Sequence, residues 1–213
     1  MFTLKRFAAL AACGLLALAL LVAACTNKAE APTDEGDPGV AATGDADGES
    51  PSGETPDGGG VFTLMAADFE DGGAIPARLT CDGDETSPAL MWSGAPEGTR
   101  AFAIIVEDPD APGDTPFIHF VVYDLPGGET ELEEGIPVPS HPAAGGYQGR
   151  NDAGRTGWAG PCPPEGETHS YDFYLYALID ELGLEPGATA DEVLEAAAGK
   201  VLGVVKIAGT YGR

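Results

Sequence analysis

The sequence predicts an all-β sandwich with one small helix attached. Three observations carry that expectation. Apolar runs of strand length recur from residue 61 to residue 208, Pro and Gly cluster between them, and a single stretch near the C-terminus has helical spacing. Many strands with one late helix suit packed sheets better than alternating strand–helix units. The 31 Gly and 18 Pro among 213 residues argue against an all-helical chain.

Residues 1–24 read as a signal peptide. Lys5 and Arg6 form a positive start, and Phe7 to Ala24 is an uncharged run of 18 residues. That length overlaps a short membrane span, so the ending decides. Leu21-Val22-Ala23-Ala24-Cys25 is similar to the bacterial lipobox, whose Cys is acylated and becomes the first residue of the mature chain. Ordinary secretory cleavage and a retained anchor helix are the competing readings. Residues 25–60 then form a lipidated Cys and an acidic Gly/Pro-rich tether. Positions 26–60 hold eight Gly, four Pro and nine acidic residues against Lys28 alone, with no aromatic. Such a chain buries too little apolar area to offset its ordering entropy. As a coil it would reach about 30–35 Å. These features place the protein in the bacterial cell envelope, anchored to a membrane through Cys25, with its domain outside the cytoplasm.

Residues 61–213 form the folded domain. Val61 to Met65 opens the strand pattern. Ala101 to Val106 is nearly all apolar, as expected of a strand buried on both faces. Phe117 to Leu125 is a second long run. Tyr171, Phe173, Leu175 and Ala177 alternate with Asp172, Tyr174, Tyr176 and Leu178, which gives one apolar and one half-polar face. Val201 to Ala208 supplies a last strand. The helix lies before it. Thr189 and Glu192 have capping-box spacing, Val193, Leu194, Ala197, Ala198 and Val201 share a helical face, and Gly199 suits its end.

Charge narrows the function. The 35 Asp+Glu against 10 Lys+Arg leave a net charge of −25. Non-specific nucleic-acid binding and docking on anionic lipid by charge both need a basic footprint, so neither is expected. His occurs only at 119, 141 and 169. Asp108-Pro109-Asp110-Ala111-Pro112 follows a buried strand, and its prolines hold the carboxylates rigidly at the strand end. His169 and Tyr171 are two residues apart on one strand, so they face the same side. An Asp that hydrogen-bonds a His favours the imidazolium, and two His with a Tyr hydroxyl would cradle a small anion. The competing reading is that these are structural histidines. No ligand spacing for a metal and no Gly-x-Ser-x-Gly elbow occurs, so neither a metal site, a cofactor nor an enzyme is expected.

Several segments carry a resemblance. They are Thr80-Cys81-Asp82-Gly83, Ser87-Pro88-Ala89-Leu90-Met91-Trp92, Asp108-Pro109-Asp110-Ala111-Pro112, His119-Phe120, Gly160-Pro161-Cys162-Pro163-Pro164, His169-Ser170-Tyr171 and the closing Gly209-Thr210-Tyr211-Gly212-Arg213. Together they resemble the phosphatidylethanolamine-binding protein family, and most closely its bacterial Raf kinase inhibitor-like branch. The resemblance spans residues 61–213 and implies two antiparallel sheets with a small anion pocket. It implies that Asp108, Asp110, His119, Pro163, His169 and Tyr171 bind ligand, with Trp158 at the pocket mouth. Ser170 stands where the family usually has Arg, and Phe117 and Ile118 precede His119 where the branch often has Trp. Arg150-Asn151-Asp152 also resembles the branch, with Arg150 expected to order its loop. Export makes Cys81 and Cys162, each in a motif loop, candidates for one disulfide, the alternative being two free thiols. The resemblance implies a membrane-tethered, non-enzymatic binding protein for phospholipid head groups or other small anions. A protein partner, inhibited in the manner of a kinase or protease, is the second reading.

Overall fold

A computed structural model describes residues 60–138 and 141–213. The signal peptide, Cys25 and all of the tether but Gly60 lie outside the described residues. Along the chain come β1 (Thr63–Ala66), β2 (Gly73–Ala74), a 3-10 turn (Ala77–Leu79), β3 (Leu90–Ser93) and β4 (Ala101–Asp108). They are followed by β5 (Phe117–Pro126), β6 (Glu131–Leu132), β7 (Tyr147–Gln148), β8 (Thr168–Leu178), α1 (Ala190–Ala197) and β9 (Val201–Gly212). β1, β3 and β6 form a three-stranded sheet, and the other six strands form a second in the order β2-β9-β8-β4-β5-β7. Every pairing is antiparallel except the short β2–β9 contact, which is parallel.

Burial follows the alternation of the long strands. Phe102, Ile104 and Val106 of β4 and Tyr171, Phe173, Leu175 and Ala177 of β8 point into the layer between the sheets. Ala101, Ala103 and Ile105 of β4 point the other way, toward Val193 and Ala197 of α1. β4 is therefore buried on both faces because it is central in its sheet and covered on both sides. The helix begins as its sequence dictates, with the Thr189 hydroxyl and the Glu192 carboxylate capping each other's backbone N–H. Its expected face needs correction. Ala190, Val193 and Ala197 are buried, but Leu194 is exposed and Val201 already belongs to β9. Gly199 takes φ +77°, and the chain turns back there before the helix can reach Val201.

One register shift matters more than the rest of the ladder. Along β5, Phe120 pairs with Val106 and Ile118 with Glu107, so His119 is the extra residue of a bulge. A bulge breaks strict alternation and re-aims one side chain. Ile118 consequently packs toward α1, while His119 and Phe120 both turn to the inner side, where Trp158 and Tyr171 lie.

Candidate ligand-binding site

A cavity of about 440 Å³ opens where β4, β5 and β8 end. Asp108, His119 and His169 line it, together with Phe117, Arg155 and the cystine. Cys81 and Cys162 are bonded, with their Cα atoms 5.4 Å apart. The bond joins the loop after the 3-10 turn to the Gly160–Pro164 loop and forms part of the cavity wall.

Asp108 is the hub. It is buried, as are both histidines. His169 Nδ1 lies 2.7 Å from Asp108 Oδ2 and donates to it, because a carboxylate only accepts. His169 Nε2 faces the exposed carboxylate of Glu167 at 3.4 Å. Burial works against the imidazolium, but the hydrogen bonds to Asp108 and Glu167 and the charges of Asp108 and Asp110 outweigh it, so the His169 pKa is raised. His119 behaves in the opposite way. Burial dominates and lowers its pKa, in spite of the Ala159 carbonyl and the charges of Asp108 and Asp152. Its Nδ1 donates to that carbonyl at 2.6 Å, which leaves Nε2 as a bare lone pair in the neutral ring. This Nε2 lies 4.0 Å from Asp108 Oδ2. Two acceptors facing each other are satisfied by a shared donor or by a proton on His119.

The remaining expected residues divide into support and lining. Asp110 is exposed and does not line the cavity. Its carboxylate accepts the Ser170 N–H at 2.8 Å and its own N–H donates to Asp108 Oδ1 at 2.9 Å, so it ties the turn to β8. Tyr171 sits beneath the lining with its hydroxyl buried. Burial, and then the nearby Asp108 carboxylate, push its pKa up. Pro163 is buried, and its neighbour Pro164 lines the cavity instead. Trp158 corrects a second expectation, since it is not at the mouth. It is buried in the inter-sheet core, edge-on to Phe120, with Nε1 donating to the Leu79 carbonyl at 2.8 Å. His141 is exposed and bonds Gly146 outside the cavity.

Sequence reasoning overlooked two lining residues, Glu85 and Arg155. Arg155 bridges to Glu85, and the same Glu85 oxygen accepts the Gly160 N–H at 3.0 Å. The loop that carries Arg155 is ordered by its neighbours. The Asn151 side chain donates to Gly157 O and accepts from Arg155 N, and the Asp152 carboxylate accepts the Ile118 N–H. Arg150, expected to order this loop by its side chain, contributes backbone bonds instead. Arg155 could have been suspected because the whole chain has only 10 Lys and Arg. Among the described residues, no group of three His, Cys, Asp or Glu could hold a metal ion, and no helix is long and apolar enough to cross a membrane.

Comparison with known proteins agrees with this architecture. A family model described as phosphatidylethanolamine-binding protein matches residues 66–212. A UPF0098 protein of Methanothermobacter thermautotrophicus is 48% identical over 152 residues, which is 71% of this chain and 99% of the relative. A Mycobacterium tuberculosis protein that bears the name "Putative lipoprotein LppC" is 37% identical over 151 residues, which is 70% of this chain and 72% of the relative. The crystal structure of a phosphatidylethanolamine-binding protein homologue from Chlamydia trachomatis superposes with a TM-score of 0.65 at 36% identity, covering 71% of this chain and 97% of that one.

Proposed function

The chain belongs to the phosphatidylethanolamine-binding protein family, and from that premise we propose that it is a lipid-anchored envelope protein whose cavity binds a small anion without turning it over. The anion is a phosphate ester of a lipid head group, or a group of like chemistry. The observation that carries this reading is the Asp108–His169 hydrogen bond of 2.7 Å, which holds an imidazolium on the wall of a cavity of ligand size. Arg155 adds a permanent cation on the same wall. His119 adds a site that takes up a proton as an anion arrives, because its neutral ring presents only a lone pair. The mycobacterial relative's name supports acylation at Cys25.

Proton linkage gives the test. An anion raises the pKa of each histidine it touches, so binding takes up protons and affinity rises as pH falls. The loss on the alkaline side follows the raised pKa of His169, above the ordinary 6.5. Titration calorimetry with a phosphodiester head-group analogue, whose own charge is fixed, should show tighter binding near pH 6 than near pH 8. Affinity that does not change between those values removes the histidines from the site.

A further inference from the structure

We infer that Glu85 is a resident competitor for the guanidinium of Arg155, and that it sets the cavity's preference for singly charged anions. The inference rests on the anion-site reading above and adds a specificity determinant to it. Arg155 is the only Lys or Arg among the residues that line the cavity. Its charge does not titrate, so it is the one cation the ligand meets at every pH of interest. Yet that charge is already matched, because Arg155 is ion-paired to Glu85 on the same wall.

Glu85 is held in place more firmly than its partner. Its Oε1 accepts the Gly160 N–H as well as the guanidinium. Glu85 takes φ +54°, a left-handed backbone that a residue with a side chain adopts only when its surroundings fix it. Gly160 fits beneath it because it lacks a side chain, since a Cβ there would come within 2.9 Å of Glu85 Cγ and of the Leu79 carbonyl. The cystine then locks the two loops together, with Cys81 four positions before Glu85 and Cys162 two positions after Gly160. Arg155 has no such fixings on its side chain, which is half exposed. An incoming anion therefore draws the guanidinium off Glu85, and the carboxylate stays behind on the wall.

A carboxylate that stays behind has a consequence for selectivity. At neutral pH Glu85 offsets Arg155, Asp108 faces the imidazole of His169 and favours its cation, and His119 is neutral. The wall thus sets a carboxylate beside each of these two basic groups. A monoanion adds one negative charge to that wall and a dianion adds two, inside a chain that already carries −25. Coulomb repulsion from Glu85 doubles with the ligand's charge. Glu85 therefore penalises a phosphate monoester in its dianionic form more than it penalises a diester or a carboxylate.

The Glu85→Gln substitution isolates this effect, because its amide oxygen still accepts the Gly160 N–H while the charge is gone. Dimethyl phosphate and methyl phosphate, titrated into the full-length protein at pH 8 by calorimetry, supply the monoanion and the dianion. Glu85→Gln should bind dimethyl phosphate about tenfold more tightly than the unaltered protein, and methyl phosphate about a hundredfold more tightly. In an Arg155→Gln background the further change of Glu85→Gln should yield a smaller gain, since the competition for the guanidinium is gone. If the unaltered protein binds dimethyl phosphate and Glu85→Gln binds neither probe more tightly, the competitor role is wrong and the anion site stands. If no variant binds dimethyl phosphate at pH 6 or at pH 8, the anion site fails and this inference fails with it. Should Glu85→Gln not fold, Arg155→Gln decides alone. A drop of about tenfold in dimethyl phosphate affinity supports Arg155 as the contested cation, and an unchanged affinity overturns it.

Discussion

Two concavities of similar size are built from the same strands on opposite sides of the large sheet, and they differ in their charged groups. The cavity described above measures about 440 Å³, and a groove beside the N-terminus of α1 measures about 380 Å³. Adjacent residues supply the two. Asp108, His119 and Ala153 line the cavity, and Glu107, Ile118 and Asp152 line the groove. The cavity sets His169 and Arg155 against its carboxylates. The groove has Glu107, Asp152 and Asp191 and no Lys, Arg or His among its lining residues. Volume therefore says little about what each can hold, and the position of a few cations says most of it. The bulge at His119 is what delivers the second imidazole to the cavity and not to the groove.

The comparison can be broken from either side. The largest effect belongs to the cavity wall. The cystine spans a sequence separation of 81, and replacing both Cys81 and Cys162 by Ser should lower unfolding free energy by about 3–5 kcal/mol in denaturant titrations. Anion affinity should fall with it, because Cys81 and Cys162 themselves form part of the cavity wall. His169→Ala comes next. It should weaken phosphodiester binding roughly ten- to a hundredfold, the worth of a charge-assisted hydrogen bond of about 1.5–3 kcal/mol, while His141→Ala changes nothing.

The groove should answer only in stability. Thr189→Ala removes the hydroxyl half of the cap, leaves the Glu192 carboxylate on the backbone N–H of residue 189, and should cost about 1 kcal/mol in thermal or denaturant unfolding, with anion affinity unchanged. Glu107→Gln is the mildest. Burial first, and then the Asp172 charge, raise the Glu107 pKa above its usual 4.5. Its ionised form is then less favourable in the fold than in the unfolded chain. That penalty is absent well below the usual pKa and grows as pH rises through the raised one. Glu107→Gln should therefore stabilise slightly at pH 7 and not at pH 3, again without altering anion affinity.

Much of this contrast was legible before the structure. The long strands and the cap follow from period-2 alternation and from Thr189 with Glu192, because both signals are local. That Asp108, His119 and His169 belong to one site was legible from the motifs, but which imidazole Asp108 bonds was not. The two-residue strands β2, β6 and β7 were not, since a pair of residues carries no period. Period-2 reasoning also misses the bulge, where one inserted residue reverses which of Ile118 and His119 faces inward. The Glu85–Arg155 pair joins residues 70 apart, and nothing in either local sequence points to the other. Trp158 was misplaced because an aromatic next to a motif is as well suited to a core as to a rim.

The central claim is that one buried carboxylate divides two histidines into a held cation and a neutral acceptor, and that an anion recruits both. An NMR pH titration of the imidazole resonances, with and without dimethyl phosphate, tests it directly. His169 should titrate above 6.5 and His119 below it, and both midpoints should rise when the anion is present. The reverse order of the two midpoints, or midpoints that the anion leaves in place, would contradict the account.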